Sequence, residues 1–234
     1  MVWVTQSIAA EKVIPTWSET MSAALDLRHF WETQTHPRAR HHCDGLEHWV
    51  QFMDENFLTH FEREGIETVM EWGCGRGEMS LKIAQRGLDL HLVDLIDASL
   101  DLAELKLICH GLAPASRTQV DDPEAIQLPV ERVDALLCVA VVQHFPTIAY
   151  WRQIAAKWRS LEPEVIVLQT RHADDANRQP QDYTKEYIYS LWLTTDEVLS
   201  QFPGYRVTAH HVDRSDAYIW SPNANFEFFV LERS

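Results

Sequence analysis

A short apolar segment of the chain leads directly into three glycines at alternate positions. Residues 66–77 read Ile-Glu-Thr-Val-Met-Glu-Trp-Gly-Cys-Gly-Arg-Gly. β-Branched residues suit a buried parallel strand, and glycines allow the backbone to turn tightly and to approach a ligand closely. A helix over residues 78–86, stopped by Gly87, and a second strand over residues 88–93 are predicted to follow. The pattern indicates a strand–loop–helix–strand unit that binds a nucleotide cofactor.

Two acidic residues end the two predicted strands. Glu71 ends the first, and Asp94 follows 23 residues later at the end of the second. Folds of this type place a ribose-binding carboxylate about 20 residues beyond the loop. The dinucleotide fingerprint G-x-G-x-x-G would need a glycine where this chain has Glu78. A nicotinamide-dependent oxidoreductase is therefore the less favoured alternative.

The order of the motifs resembles that of class I S-adenosylmethionine (SAM)-dependent methyltransferases. In that family an acidic residue stands two places before the first glycine of G-x-G-x-G, as Glu71 does here. Residues 93–95 (Val-Asp-Leu) resemble its second-strand acid, and residues 120–129 resemble its adenine-contacting segment. Residues 133–138 and 141–145 resemble its fourth strand and the segment after it. The resemblance covers roughly residues 60–172, and four motifs in order are more specific than one glycine loop.

The resemblance implies both a fold and a set of cofactor-binding residues. The fold is α/β, with a Rossmann-like, seven-stranded, mostly parallel sheet and helices on both faces. Residues 205–212 and 226–232 alternate as two strands of an antiparallel C-terminal hairpin. The implied cofactor is SAM, with S-adenosylhomocysteine (SAH) as its product. The implied cofactor-binding residues are Glu71, Gly73, Cys74, Gly75, Gly77, Asp94, Leu95, Asp122 and Val139.

The chemistry of SAM fits the acidic residues. Glu71 can accept from the ammonium group, Asp94 from both ribose hydroxyls, and Asp122 from the adenine amine. Each has an alternative: Glu71 could be a solvated strand end, Asp94 a helix cap, and Asp121 could take the place of Asp122.

His144 follows the fourth predicted strand and is the candidate general base for a substrate hydroxyl. The alternative is a histidine at a helix start that bonds to the backbone. The tract 172–177, with Asp174 and Asp175, could bind Mg²⁺, but no partner aspartate follows the fourth strand. A solvated loop is favoured there, and no metal site is predicted.

One domain is predicted over residues 1–234. Helical spacing over residues 17–33 and 44–63 predicts a helical N-terminal cap in residues 1–63, with Asp44 and Glu47 as a capping box. The alternative is that these helices simply cover the sheet. Residues 64–234 are predicted to form the cofactor-binding core, in which the polar tract 171–182 is either a loop or the first part of a lid over residues 171–192. Five aromatic residues could wall a substrate pocket or pack in the core: Trp31, Trp49, Tyr183, Tyr187 and Trp192.

The amino-acid composition disfavours some classes of binding partner. With 20 Lys and Arg against 35 Asp and Glu, the formal charge is −15, which disfavours nucleic acid. No signal peptide or long apolar stretch is evident, and the four cysteines have no C-x-x-C spacing. A cytoplasmic protein that does not bind membranes is expected, with a homodimer as an option. The predicted activity is methyl transfer to an oxygen or nitrogen of a small molecule. The alternative is a SAM-binding accessory or regulatory protein without catalysis.

Overall fold

The structure, a computed structural model, describes residues 46–120, 126–173, 191–213 and 226–234. The helices are α1 (Leu46–Asn56), α2 (Glu78–Ala84), α3 (Asp97–Cys109), α4 (Ile148–Ser160) and α5 (Thr195–Leu199), with short 3-10 helices at Leu58–Phe61 and Val142–His144. The strands are β1 (Thr68–Trp72), β2 (Asp89–Asp94), β3 (Ser116–Gln119), β4 (Ala135–Cys138), β5 (Val165–Arg171), β6 (Tyr205–Asp213) and β7 (Phe226–Arg233).

The seven strands form one sheet in the order β3-β2-β1-β4-β5-β7-β6. The first five strands pair in parallel, and β7 pairs antiparallel with both β5 and β6. The chain moves outward from β1 to β3 and then returns to place β4 on the other side of β1. Because open α/β sheets bind ligands where the strand order reverses, the carboxyl ends of β1 and β4 mark the expected site.

Apolar side chains on both faces of the sheet explain why its central strands are buried. One layer contains Trp151 and Trp158 of α4 packed on alternate residues of β4 and β5. The other contains α1, α2 and α3, with Met53, Ile83 and Leu100 in contact with the opposite side chains of the same sheet. Helices therefore cover both faces, as the sequence predicted.

Most predicted elements are confirmed, with shifts at their ends. The helix predicted over 78–86 is α2, and the strand predicted over 205–212 is β6. Within 44–63 the chain forms α1 and then a 3-10 helix. The polar strand β3 (Ser-Arg-Thr-Gln) had no sequence prediction. The predicted helix 17–33, Asp44, and Asp121 and Asp122 lie outside the described residues.

Both described ends of the predicted 171–192 lid belong to the sheet region. Arg171 is the last residue of β5, and a parallel bridge joins His172 to Leu193. The Ala173 amide donates to the Leu193 carbonyl (2.8 Å), and the Leu193 amide donates to the Arg171 carbonyl (2.9 Å). These bonds hold residues 171–173 beside Leu193; residues 174–190 lie outside the described part, and the lid stays a prediction. In the ranges described, no helix is long and apolar enough to cross a membrane.

Candidate cofactor-binding site

The glycine loop links β1 to α2 at the carboxyl edge of the sheet. The Gly73 amide donates to the Val93 carbonyl of β2 (2.7 Å), which ties the loop to the neighbouring strand. The Gly77 amide donates to the Cys74 carbonyl (2.9 Å) and closes a turn directly before α2. The loop therefore begins and ends at fixed points, as the sequence pattern predicted.

The three glycines have different surroundings. A Cβ atom on Gly73 would lie 2.2 Å from Val141 Cγ2, and one on Gly77 would lie 2.7 Å from the Ala103 Cα of α3. A Cβ atom on Gly75 would have nothing within 4 Å. Gly73 and Gly77 are thus required by packing, whereas Gly75 borders open space where a ligand can approach the backbone.

Glu71 lies in β1 beneath the loop and is only 4% exposed. Its Oε2 accepts a hydrogen bond from the Ser80 hydroxyl of α2 (2.5 Å). Burial raises the pKa of Glu71 to about 8, and the Ser80 bond opposes this rise. The alternative of a solvated strand end is wrong, because this carboxyl group is enclosed.

Asp94 ends β2 and is 9% exposed. Its Oδ2 accepts from the Gly75 amide (2.9 Å), and its Oδ1 accepts from the Ile96 amide (2.9 Å). Burial raises its pKa, and these two amides act in the opposite direction. The bond to Ile96 stabilises the turn before α3, but Ile96 is the N-cap of this helix and no side chain caps it, so the helix-cap alternative is wrong. The contact from Asp94 to the two ribose hydroxyls stays a prediction.

The remaining predicted cofactor residues surround this pair. The Cys74 thiol lies 3.8 Å from Asp94 Oδ2, and burial raises its pKa, so it is held as a neutral thiol. Leu95 is half-buried, and its carbonyl accepts from the Gln119 side chain (3.2 Å). Val139, which is 8% exposed, directly follows β4. The structure therefore brings the first two motifs together, with Val139 at the end of the adjoining strand.

His144 lies in the 3-10 helix after β4 and is 8% exposed. Its backbone amide donates to the Val141 carbonyl (2.8 Å). Val141 is also the residue whose methyl group fills the space beside Gly73. His144 therefore lies one helical turn after Val141, the residue that contacts the glycine loop. Its role as the general base stays a prediction.

Ala140 and Gln169 were missed by the sequence reasoning. Ala140 has φ of 60°, in the left-handed region that non-glycine residues rarely adopt, and its amide donates to Gln169 Oε1 (2.8 Å). Gln169 is 2% exposed in β5. A side chain from β5 thus fixes an unusual backbone turn at the end of β4, beside the glycine loop. No pattern in the sequence marks an alanine with positive φ.

Two polar groupings lie beyond β5. The Arg171 guanidinium stacks on the Trp192 ring, with its central carbon 3.9 Å from the ring centroid. Glu227 is fully buried and accepts from Thr195 (2.6 Å), while its oxygens lie 2.9 Å from His172 Nδ1 and 2.7 Å from His210 Nε2. Across the described ranges, no three His, Cys, Asp or Glu side chains are arranged to hold a metal ion. Trp192 is 9% exposed and stacks on Arg171, and its role as a wall of the substrate pocket stays a prediction.

Comparisons with known proteins agree with this geometry. The model of a methyltransferase domain matches residues 69–164, from β1 to the residue before β5. A ubiquinone biosynthesis O-methyltransferase of Pseudomonas paraeruginosa is 26% identical over 201 residues, covering 85% of this chain and 78% of the relative. One from Stutzerimonas stutzeri is 29% identical over 117 residues, covering 50% of this chain but only 47%, about half, of the relative.

Solved structures share the fold at low identity. The 1,6-didemethyltoxoflavin-N1-methyltransferase of Burkholderia thailandensis has a TM-score of 0.66 and 16% identity, covering 98% of both chains. The magnesium protoporphyrin IX methyltransferase of Synechocystis, solved with bound SAM, has a TM-score of 0.61 and 15% identity, covering 89% of this chain and 97% of that one. Residues 69–164 therefore match a methyltransferase domain, and the strand order and glycine loop give this chain the Rossmann-like fold of the SAM-dependent methyltransferases.

Proposed function

We propose that the protein transfers a methyl group from SAM to an oxygen or nitrogen of a small-molecule acceptor. The observation that carries the proposal is the pairing of two buried carboxyl groups with a glycine that borders open space. Glu71 is the penultimate residue of β1 and Asp94 the last residue of the neighbouring β2, and Gly75 donates to Asp94 at 2.9 Å. Such an arrangement suits a ligand with a cationic tail and a ribose.

In this proposal, different residues of the chain bind different groups of SAM. Glu71 accepts from the α-ammonium group, and Asp94 accepts from the ribose hydroxyls; Asp122 is proposed to take the adenine amine. When bound, SAM supplies a methyl group made reactive by the positive sulfur to which it is attached. The chain's contribution is to align the acceptor with that group and to exclude water, since orientation alone supplies much of the rate of such displacements. His144 is the proposed base that takes the proton of the acceptor.

A small hydroxyl-bearing acceptor is favoured over nucleic acid. The net charge of −15 opposes binding of a phosphate backbone. The sequence relatives are named O-methyltransferases, while the structural relative from Burkholderia thailandensis is named an N1-methyltransferase. Oxygen is therefore the first choice of nucleophile, and nitrogen the second. The cytoplasmic location and the homodimer stay predictions from the sequence.

The first experiment measures cofactor choice by thermal shift. SAM and SAH should each raise the melting temperature. At a ligand concentration 100-fold above the dissociation constant, the folded state should gain about 2.7 kcal/mol of stability. Asp94→Asn is a matched variant that keeps the shape of the side chain but removes its charge, and it should reduce the shift. A shift with NAD(H) and none with SAM or SAH would contradict the proposal.

The second experiment separates an enzyme from an accessory protein that only binds SAM. The protein is incubated with SAM and a panel of catechols, monophenols and heteroaromatic amines, and SAH production is measured with and without EDTA. Acceptor-dependent SAH production that survives EDTA is expected. SAM binding without turnover of any member of the panel would favour the accessory role.

A further inference from the structure

Glu71 and Ser80 form a hydrogen-bonded pair enclosed in the protein. Ser80 is 0% exposed and lies in the first turns of α2, directly after the glycine loop. Its hydroxyl donates to Glu71 Oε2 at 2.5 Å. The carboxyl group therefore has a fixed orientation set by α2, the helix that the loop introduces.

The charges around Glu71 are mostly negative. Asp94 of β2 and Glu78 at the start of α2 both raise its pKa, whereas Lys106 of α3 lowers it. Lys106 is itself paired with Glu78 at 2.8 Å, so its charge is shared. Two further titratable groups face the same region, the buried thiols of Cys74 in the loop and Cys138 in β4, and Glu71 raises the pKa of both.

Within the protein, this setting favours the neutral form of Glu71. Burial is the largest cause, and the pKa lies at about 8. A cation brought next to the carboxyl group has the opposite effect, because an opposite charge within about 4–6 Å favours ionisation. The α-ammonium group of SAM or SAH is such a cation.

We propose that Ser80 is a positioning residue for the cofactor: it holds the Glu71 carboxyl group in place, and binding of the cofactor's ammonium group releases a proton from this pair. The inference rests on the proposed placement of the cofactor's tail at Glu71. If binding releases a proton, the affinity for the cofactor depends on pH. Neither the fold nor the glycine motif requires such a dependence.

The expected number of protons released on binding follows from the pKa of Glu71. At pH 7 about nine-tenths of Glu71 is protonated, since its pKa is about 8. Binding of SAH at pH 7 should therefore release about 0.9 proton. Its affinity should rise by up to about tenfold per pH unit below pH 8 and become level above it.

Calorimetry can measure the released proton directly. SAH is titrated into the protein at pH 7 in phosphate and in Tris, whose ionisation enthalpies differ, and the difference in heat gives the number of protons. Adenosine is the matched ligand, because it keeps the ribose and base but lacks the ammonium group. Much smaller release with adenosine than with SAH is expected. Equal release with both ligands would assign the proton to Asp94 and overturn the inference.

Three variants complete the test. Ser80→Ala removes a bond that lowers the pKa of Glu71, so the affinity-against-pH curve should move to higher pH, with a several-fold loss at pH 7 that narrows at pH 9. Glu71→Gln should abolish proton release and flatten the curve. Ser116→Ala is the control, because it removes a hydroxyl that lies 2.8 Å from a different titratable group, His91 Nδ1, on the neighbouring strand. That variant should match the wild type.

The possible failures are distinguishable. A loss of affinity in Ser80→Ala that is the same at every pH would show a merely structural role for the hydroxyl and overturn the inference. Undiminished proton release in Glu71→Gln would overturn it as well. If wild-type protein binds no SAH at all, the proposed function is contradicted, and the positioning role of Ser80 with it.

Discussion

Replacing Gly75 and Gly77 separately by alanine should separate cofactor binding from folding. Both residues have positive φ, 52° and 79°, so each alanine incurs a backbone cost of roughly 1–2 kcal/mol. Only the Gly77 substitution adds a collision, with Cβ 2.7 Å from the Ala103 backbone of α3. Because backbone cannot move away as a flexible side chain can, overpacking should add roughly 1–3 kcal/mol.

The two variants should therefore lose different properties, one mainly stability and the other mainly SAH affinity. Gly77→Ala should lose roughly 2–5 kcal/mol of unfolding free energy in urea. Gly75→Ala should lose only the backbone cost, yet bind SAH at least about tenfold more weakly, equivalent to about 1.4 kcal/mol, because its methyl group enters the space beside the loop. Calorimetric titration with SAH gives the second quantity.

Gly87→Ala provides the control for the backbone cost alone. Gly87 ends the turn after α2 with φ of 76°, and a Cβ atom there would have nothing within 4 Å. It lies at the opposite end of α2 from the loop, so SAH affinity should be unchanged. The reasoning is refuted if Gly77→Ala is as stable as Gly87→Ala, or if Gly75→Ala binds SAH as tightly as the wild type.

Three further outcomes are expected. Asp94→Ala should weaken SAH binding by roughly 1.5–3 kcal/mol, the usual worth of hydrogen bonds to a charged group, and wild-type affinity in calorimetry would place the ribose elsewhere. His144→Gln should lower the rate of methyl transfer to the best phenol of the panel by about 100-fold or more without changing SAH affinity, whereas an unchanged rate would leave the step to alignment alone. Glu227→Ala should lose roughly 2–4 kcal/mol in urea unfolding, because it leaves the partners of a fully buried carboxyl group unsatisfied. A loss no larger than that of His211→Ala, which changes the neighbour of His210 on β6, would show that the Glu227 contacts contribute little.

The sequence predicted those elements whose burial imposes a pattern. β1, β4 and β5 are buried in the middle of the sheet, and their apolar runs marked them in the sequence. β3 escaped prediction because it is an edge strand with only half-buried side chains, so neither an apolar run nor alternation was available. A strand defined by backbone pairing alone leaves little trace in its residue types.

The candidate site was predictable for local motifs and not for long-range partners. The spacing of Glu71 and Asp94 was sufficient to place them on neighbouring strands, which the parallel pairing of β1 and β2 confirms. The bond from Ser80 to Glu71 depends on how α2 packs on β1, and the bond from Ala140 to Gln169 joins residues 29 positions apart. Nor could the sequence separate Gly75 from Gly77, because the neighbour that distinguishes them, Ala103, comes from α3.

The backbone bonds between Ala173, Leu193 and Arg171 make a natural junction for exchanging part of the chain. Two hydrogen bonds of 2.8 and 2.9 Å hold residues 171–173 and Leu193 side by side, so these two points of the chain lie close together. A replacement segment of different length or composition can therefore be inserted between these two points without stretching either end. Since the junction lies at the carboxyl end of β5, next to Trp192, we expect an exchange between these two points to leave the sheet, the glycine loop and both carboxyl groups unaltered.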